Sequence, residues 1–496
     1  RNSLYGLASE AIGGALSFLI VILIARSLGV ERFGDFSYIL AFTAIFQLIA
    51  DFGLTNILVR EIARAQDQVA RVVGAIKPLV WLLSLATFAV IALISLLSAT
   101  SVEELHATLI MGVAVLVTFH AVIYGSVCRA REEMGFNAVA FVTHKVLLLG
   151  LALLALHEDR GLVGIALAYL LANLYQWGFF YWVVRSRYAR IAWRIDTTYW
   201  KKLIKEAFPI GAAMVFRRAT LHVDTLMLTL LSTATSVGLF NAAYRVVQMI
   251  DMIPFTLSIP QFPALSRLAE ESAEKFHVAL TQVQRLFFIV AVPLCVWLLV
   301  LAPNIIAILF GDKFSDAALT LRVLSAAVLF LFPTSLYVYV FSALGRQKYY
   351  TLSSGLCLAA NVLLDVALIP HFGHLGAAMA TLAAEATFFV SGAVMLNRLG
   401  QGTKFWRLTT RPLLAAACAA IILIWPLLSS STLALIAASV AYMVTFLLLA
   451  LIFKLFNPEE LALVRGSISW RGLPFSSSRR GAPGSQGDVL LETDTR

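Results

Sequence analysis

The stretch that decides the fold runs from Pro209 to Asp251 and reads PIGAAMVFRRATLHVDTLMLTLLSTATSVGLFNAAYRVVQMID. It forms two apolar segments joined by a short polar turn, as expected of two consecutive membrane spans. Six ionisable side chains lie inside it, namely Arg217, Arg218, His222, Asp224, Arg245 and Asp251. An ionisable group at membrane depth costs about 2.5–3.5 kcal/mol on insertion scales, so we expect these groups to line a hydrophilic cavity rather than to face lipid.

The composition of the whole chain is that of a polytopic membrane protein. Of its 496 residues, 60% are hydrophobic and 13% are charged, whereas soluble domains are about half apolar and a quarter charged. The four cysteines form no C-x-x-C pair, so neither a metal site nor a disulfide framework is predicted. No nucleotide motif occurs either, and we expect no cofactor, no catalytic residue and no nucleic-acid partner.

Fourteen segments are apolar and long enough to cross a bilayer. They are 4–27, 36–59, 78–100, 105–128, 138–157, 162–184, 207–231, 237–259, 285–302, 318–344, 351–370, 374–397, 411–429 and 432–456. The predicted fold class is therefore an all-α polytopic membrane protein with 14 transmembrane helices. The first segment is too long for a cleavable signal peptide and has no small-residue cleavage site, so none is expected.

The distribution of Lys and Arg predicts the orientation. The odd-numbered loops contain only Arg32, Arg160, Lys313 and Arg322, whereas the even-numbered loops contain most of the basic residues outside the spans. Cytoplasmic loops carry this excess, so both termini are predicted to be cytoplasmic. Three of the basic loops, 60–77, 187–206 and 264–284, have the spacing of amphipathic helices that lie in the membrane interface.

The two halves of the chain resemble each other. The turn GVERFGDF (29–36) joins spans one and two, the turn SVGLFN (236–241) joins spans seven and eight, and in both a Gly precedes an aromatic residue. Because six spans separate the copies, they share an orientation and are predicted to be parallel repeats around a central cleft. The predicted divisions are a six-helix lobe (1–186), an interfacial linker helix (187–206), a second six-helix lobe (207–398), two additional transmembrane helices (399–456) and a mostly disordered cytoplasmic tail (457–496).

Polar residues recur at helical spacing inside several spans and give the candidate site residues. The predicted substrate-binding residues of the cavity are Arg217, Arg218, Arg245, Lys145, Asn241 and Gln248. Arg suits a phosphate group because its planar guanidinium donates two parallel hydrogen bonds. The predicted ion-coupling residues are Asp51, Asp224 and Asp251.

Structural roles for the same charges stay open. Arg217 or Arg218 is also placed to form a buried ion pair with Asp224, and His222 is also compatible with a packed histidine. Arg26 lies near the outer surface, where its side chain is long enough to reach the lipid headgroups. Span nine (285–302) is almost wholly apolar and is predicted to face lipid or to pack peripherally.

Several short motifs resemble those of Wzx-type flippases, in the polysaccharide-transporter branch of the MOP superfamily. They are Ala25–Gly29 (ARSLG), Phe33-Gly34, Asp51–Leu54 (DFGL), Asp224–Leu228 (DTLML), Val237–Arg245 (VGLFNAAYR) and Ile308–Gly311 (ILFG) with Phe314. The resemblance implies alternating access and a polyprenyl-pyrophosphate-linked oligosaccharide as substrate, flipped from the cytoplasmic to the outer leaflet. It also implies a bacterial or archaeal plasma membrane, with membrane lipid, a polysaccharide polymerase and glycosyltransferases as partners, in O-antigen or exopolysaccharide synthesis.

Three other functions compete with this hypothesis. A peptidoglycan precursor (lipid II) flippase of the same superfamily also fits a fourteen-span plan. A cation-coupled multidrug exporter of the superfamily is disfavoured, because such proteins have about twelve spans and acidic, aromatic pockets. An enzyme such as a polymerase or ligase requires an extended outer loop, and the longest outer linker here is short (302–317).

Overall fold

The computed structural model describes residues 2–64, 69–188, 193–424 and 432–455, and within these ranges all regular structure is helical. The helices are α1 (Asn2–Asp51), α2 (Leu54–Arg64), α3 (Val69–Ser98), α4 (Val102–Ala130), α5 (Met134–His157), α6 (Gly161–Arg187), α7 (Thr197–Leu231), α8 (Ala234–Ser258), α9 (Gln261–Glu271), α10 (Ala273–Phe310), α11 (Ala317–Thr334), α12 (Tyr337–Ala343), α13 (Gln347–Phe372), α14 (His374–Arg398), α15 (Phe405–Ala419) and α16 (Thr432–Ile452). Eleven segments of the described part are long and apolar enough to cross a membrane. The predicted all-helical membrane class is confirmed, and the predicted tail (457–496) lies outside the described residues.

Glycine and capping residues set the breaks between helices. Gly29 has φ 76° and ψ 177° and breaks α1 at the turn predicted between spans one and two. Thr233 begins α8 because its hydroxyl accepts a hydrogen bond from the amide of Ser236 at 3.2 Å. Span two ends at Asp51, earlier than predicted, because Gly53 adopts φ 81° and the chain turns into the separate helix α2.

For reference we divide the helices by chain order into an N-lobe (α1–α6) and a C-lobe (α7–α14). In the N-lobe, α4 packs against α3 and α6, and α5 packs against α1 and α6. In the C-lobe, α13 packs against α7 and α14, and α11 packs against α8, α10 and α14. The lobes meet where α1 lies along α7 and α8.

The segment that joins the lobes differs from the separate linker helix predicted over 187–206. Among the described residues, α6 ends at Arg187, and Thr197 begins α7, which continues without a break into span seven. The first turns of α7 belong to the N-lobe core, since Leu203 and Ala207 pack with residues of α2, α3 and α4. Pro78 has no amide hydrogen, so the Gly74 carbonyl is free to accept the amide of Arg194 at 3.1 Å.

The prediction that span nine faces lipid or packs peripherally holds for only part of the span, since Leu286 and Leu299 are exposed and other side chains are buried. The helix that contains it, α10, packs against α11 on one side and α15 on the other, and Leu298 and Leu301 are fully buried. Polar contacts attach α16 to it. The hydroxyl of Tyr442 donates to the carbonyl of Pro293 at 3.0 Å, and the Trp297 indole donates to Ser439 Oγ at 3.0 Å. Much of this apolar span is thus buried because α15 and α16 cover it.

Two faces of the bundle are used below as landmarks. The distal face carries the helix breaks at Gly29, Thr233 and Gly373, and the last lies beside the Ser232 and Ser236 hydroxyls. The proximal face carries the short helices α2 and α9. Both are amphipathic, with Ile57 and Ile62 buried on α2 and Leu265 and Leu268 buried on α9.

Candidate functional site

A basic patch, made of Lys145, Arg218, His222 and Arg245, lies between the two lobes. Lys145 is on α5 of the N-lobe, and the other three are on α7 and α8 of the C-lobe. Arg245 is near enough to interact electrostatically with both Lys145 and His222, and His222 also interacts with Arg218. Two of the predicted substrate-binding residues, Lys145 and Arg245, are therefore within electrostatic range of each other although a hundred residues separate them in the sequence.

The contacts of the basic patch leave its charge uncompensated. Arg245 Nη1 donates to the neutral Gln248 Oε1 at 3.0 Å, so the predicted residue Gln248 positions the guanidinium without neutralising it. The Lys145 ammonium lies 5.6 Å from the centre of the Phe141 ring. No salt bridge between described residues includes Lys145, Arg218 or Arg245. Lys145 and Arg245 are partly buried, whereas Arg218 is exposed. A cation in a partly buried position is stabilised by a partner of opposite charge.

Arg217 has a different environment from its neighbour Arg218. Its Nη1 donates to Glu385 Oε1 on α14 at 2.7 Å, and its guanidinium lies 5.1 Å from the centre of the Phe388 ring. The predicted ion-coupling residue Asp251 is also within electrostatic range of Arg217. The ion pair with Asp224 that the sequence leaves open does not form between these described residues. Arg217 is held by a carboxylate of its own lobe.

A second polar cluster, which we call the carboxylate cluster, is buried inside the C-lobe. Asp224 on α7 accepts hydrogen bonds from Asn361 Nδ2 at 2.7 Å and from Thr381 Oγ1 at 3.0 Å. Asp365 on α13 interacts directly with Asp224. The four side chains are 0–4% exposed. Apart from this carboxyl–carboxyl contact, no N–H or hydroxyl group of the described residues donates a hydrogen bond to either carboxyl oxygen of Asp365 or to the amide oxygen of Asn361.

The carboxylate cluster therefore presents several oxygen atoms and no basic group of the described residues in salt-bridge contact. Two carboxyl groups in one dry pocket require a compensating positive charge, either a proton or a bound cation. The described part of the chain contains no group of three His, Cys, Asp or Glu side chains that fits a metal ion. Carboxylate, amide and hydroxyl oxygens are instead the ligands of hard cations.

Two predicted site residues have structural contacts. Asp51 accepts the Thr55 amide at 3.2 Å and the Thr55 hydroxyl, so its carboxylate caps the first turn of α2. Asn241 Nδ2 donates to Thr225 Oγ1 at 3.1 Å and to the Val237 carbonyl at 2.9 Å. Asn241 therefore ties α8 to α7, and its amide hydrogens are already engaged.

The sequence singles out Asn361, Asp365 and Glu385 as polar residues inside spans eleven and twelve without assigning them a site role, and it does not single out Thr381. Thr381 and Glu385 lie on the same helix. They are four residues apart on α14, so they lie on one helix face, as do Asn361 and Asp365 on α13. This four-residue spacing is the sequence feature that could have assigned these residues to the site.

Asp224, Asp365 and Thr381 each lie seven residues from the distal end of their helices, a depth of about 10 Å. Lys145 and Arg245 lie deeper, eleven or twelve residues from that end, which is roughly 16–18 Å.

Residues 1–269 match the polysaccharide biosynthesis protein family, which confirms the resemblance found in the sequence. The chain is 26% identical over 225 residues to an uncharacterized membrane protein of Methanocaldococcus jannaschii, a region that covers 44% of each chain. It is 22% identical over 396 residues to the probable low-salt glycan biosynthesis flippase Agl15 of Haloferax volcanii. That alignment covers 77% of this chain and 80% of Agl15.

The fold is similar to that of solved transporters. The structure of the lipid II flippase MurJ in an inward closed conformation superposes with a TM-score of 0.74 at 16% sequence identity, and the match covers 91% of this chain and 98% of that one. At this level of identity the likeness concerns the fold alone.

Proposed function

Because the chain belongs to the polysaccharide biosynthesis protein family, we propose that it is a MOP-superfamily flippase for a polyprenyl-pyrophosphate-linked oligosaccharide. It moves this lipid from the cytoplasmic to the outer leaflet for cell-surface polysaccharide synthesis. The observation that carries the proposal is the basic patch, in which Lys145 of one lobe and Arg245 of the other are within electrostatic range and neither forms a salt bridge with a described residue. The patch binds the diphosphate group.

The physical need for such a patch follows from the cargo. A diphosphate that enters a low-dielectric protein interior loses its hydration, a cost that only charge-assisted hydrogen bonds offset. Arg218 and Arg245 each offer a planar guanidinium, and Lys145 adds a point charge. The sugars occupy the hydrophilic space between the lobes, and the polyprenyl tail stays in the lipid. Because both lobes contribute to the patch, the headgroup contacts both halves of an alternating-access transporter.

The proposed topology completes this picture. Counting α1 as two spans, because of its break at Gly29, and adding α7 and α8 to the remaining apolar helices gives fourteen spans. The lobes are parallel repeats, and α15 and α16 are added to the C-lobe. The distal face is extracellular and both termini are cytoplasmic, in the plasma membrane of a bacterium or archaeon. Glycosyltransferases supply the cargo, and a polymerase or a transferase consumes it outside.

The carboxylate cluster is the proposed ion-coupling site. Asp224 and Asp365 bind a proton or a monovalent cation, with the carboxyl oxygens of Asp365 and the amide oxygen of Asn361 as further ligands. One elementary charge that moves through 100 mV supplies about 2.3 kcal/mol, enough to bias a conformational equilibrium. Of the three acids predicted from the sequence, this proposal selects Asp224, because Asp51 caps a helix and Asp251 lies near Arg217.

A lipid II flippase is the second candidate, and the similarity of the fold to MurJ favours it. Both cargoes carry a diphosphate on a polyprenol, so the basic patch suits either. A drug exporter is disfavoured, because a patch of arginine and lysine repels cationic drugs. The name of Agl15 mentions glycan biosynthesis, and this supports the oligosaccharide cargo.

Complementation distinguishes these cargoes. The chain is expressed in strains that lack either a lipid-linked oligosaccharide flippase or the lipid II flippase, and surface glycan or survival is measured. We expect rescue of the first strain and its loss with Arg245→Ala at an unchanged membrane level. Rescue of the second strain alone would assign lipid II as the cargo, and rescue of neither with well-expressed protein would contradict the proposal.

A further inference from the structure

Two glycines meet between the lobes at the distal face. A Cβ atom on Gly34 of α1 would lie 1.9 Å from the carbonyl oxygen of Ala234, and one on Gly238 of α8 would lie 2.1 Å from the carbonyl oxygen of Val30. Real Cβ atoms do not approach a carbonyl oxygen so closely, so only glycine fits at either position. The two helix backbones are therefore in direct contact here.

The contact is reciprocal. In each helix, the carbonyl group that the other helix's glycine contacts lies four residues before that helix's own glycine. The two segments are Val30–Gly34 (VERFG) on α1 and Ala234–Gly238 (ATSVG) on α8. The same glycines stand in the two turns that resemble each other, where each is followed two residues later by a phenylalanine, Phe36 or Phe240. Equivalent positions of the proposed repeat thus face each other across the lobe interface, and neither turn is used by the cargo or ion sites.

A charged side chain reinforces the contact. Arg26, on the last turn of α1 before its break, donates from Nε to the Leu309 carbonyl at 2.8 Å and from Nη2 to the Ile308 carbonyl. These carbonyls belong to the last turn of α10, where helical carbonyls have no intrahelical donor and attract a cation. Beside them Phe33 meets Phe314 edge-on, with ring centres 5.9 Å apart. Arg26 therefore joins the N-lobe to the C-lobe instead of only reaching the headgroups.

We propose that Gly34 and Gly238 form the outer gate of the transport path and that Arg26 is its latch. The inference rests on the proposed transport cycle, in which the distal face must open to release cargo. Opening separates α1 from α8 and α10, which breaks the glycine contact and both hydrogen bonds of Arg26. The two helix backbones pack directly against each other at the glycines, so the gate closes in only one register of α1 against α8. The hydrogen bonds of Arg26 set how often the gate opens.

The test measures access from outside to a cysteine beneath the gate. The four native cysteines are replaced, and Gln248→Cys on α8 serves as the reporter for a membrane-impermeant maleimide added to intact cells. Gly34→Ala and Gly238→Ala wedge the gate, and Arg26→Gln removes the latch without adding bulk. The matched controls are Gly150→Ala and Gly178→Ala, where an added Cβ meets no atom within 4 Å, and Arg160→Gln, an exposed distal arginine.

We expect each gate variant to label about tenfold faster than the parent, a shift equivalent to about 1.4 kcal/mol in the open–closed equilibrium. The three controls should label at the parent rate. The gate proposal would be overturned if the folded Arg26→Gln variant and one of the folded glycine variants were each labelled at the parent rate. If a glycine variant does not fold, Arg26→Gln and the remaining variant decide. The assay needs no cargo, so a wrong cargo assignment leaves its result intact.

Discussion

Arg217 and Glu385 form a salt bridge of 2.7 Å between α7 and α14, whereas among the described residues Arg245 has only the neutral Gln248 as a hydrogen-bond partner, at 3.0 Å. The two arginines look alike in the sequence, since each lies in a span that carries acids nearby. Their surroundings give them different roles. Arg217 holds the C-lobe together, and Arg245 offers its charge to a ligand.

Alanine at these two positions should therefore have different effects. Arg217→Ala leaves Glu385 buried without a cation, and breaking such a pair costs about 3–5 kcal/mol, so we expect less folded protein and a lower Tm. Arg245→Ala should keep a near-normal Tm and lose transport. Size-exclusion profiles and Tm in detergent check both. Equal stability of the two variants would contradict the distinction.

The basic patch should bind diphosphate through both lobes. We expect Lys145→Ala and Arg245→Ala each to weaken binding of a polyprenyl diphosphate by about tenfold to hundredfold, since hydrogen bonds to charged groups contribute about 1.5–3 kcal/mol. Calorimetry in detergent measures this. Lys313→Ala, an exposed distal lysine, is the control. An unchanged affinity in both patch variants would place the diphosphate elsewhere.

The carboxylate cluster should respond to ions, and Asp51 should not. Asp224→Asn and Asp365→Asn should abolish any dependence of transport on the sodium or proton gradient, because each removes a charge from the dry pocket. Asp51→Asn should retain that dependence. Transport in vesicles with imposed gradients checks this. Gradient dependence that survives in Asp224→Asn and disappears in Asp51→Asn would reverse the assignment.

Loss of the helix cap at Asp51 should lower the stability of the folded protein. Asp51→Ala removes both acceptor contacts to Thr55, so we expect it to cost about 1 kcal/mol, with a smaller loss for Asp51→Asn. Thermal unfolding followed by tryptophan fluorescence gives the comparison. Asp312→Asn, at an exposed distal position, should leave Tm unchanged. A larger loss for Asn than for Ala would exclude the capping role.

The attachment of α16 gives a prediction outside the site. Tyr442→Phe removes the hydroxyl that donates to Pro293, and we expect a loss of about 1 kcal/mol in stability with transport retained. Tyr349→Phe, on the proximal end of α13, is a matched control without a described hydroxyl partner. Tm and initial transport rates report the two effects separately. Loss of transport at normal stability would give α16 a role in the cycle.

The sequence sufficed for the helical class and for the individual charges, because apolar length and the cost of buried ions are local properties. It did not predict which charges meet. Thr381 and Glu385 contact Asp224 and Arg217 from more than 150 residues away, and only the packing of α7 against α13 and α14 brings them together. The sequence did not predict the burial of span nine for the same reason, because an apolar helix has the same composition whether lipid or α15 covers it.

In the proposed function, the basic patch carries a diphosphate headgroup across the membrane. The most direct measurement is translocation of a fluorescent polyprenyl-diphosphate oligosaccharide in liposomes that contain the purified protein, followed by quenching from outside. We predict translocation by the wild-type protein and by Lys313→Ala, and none by folded Lys145→Ala, Arg245→Ala protein. Equal translocation by that folded double variant would contradict the account.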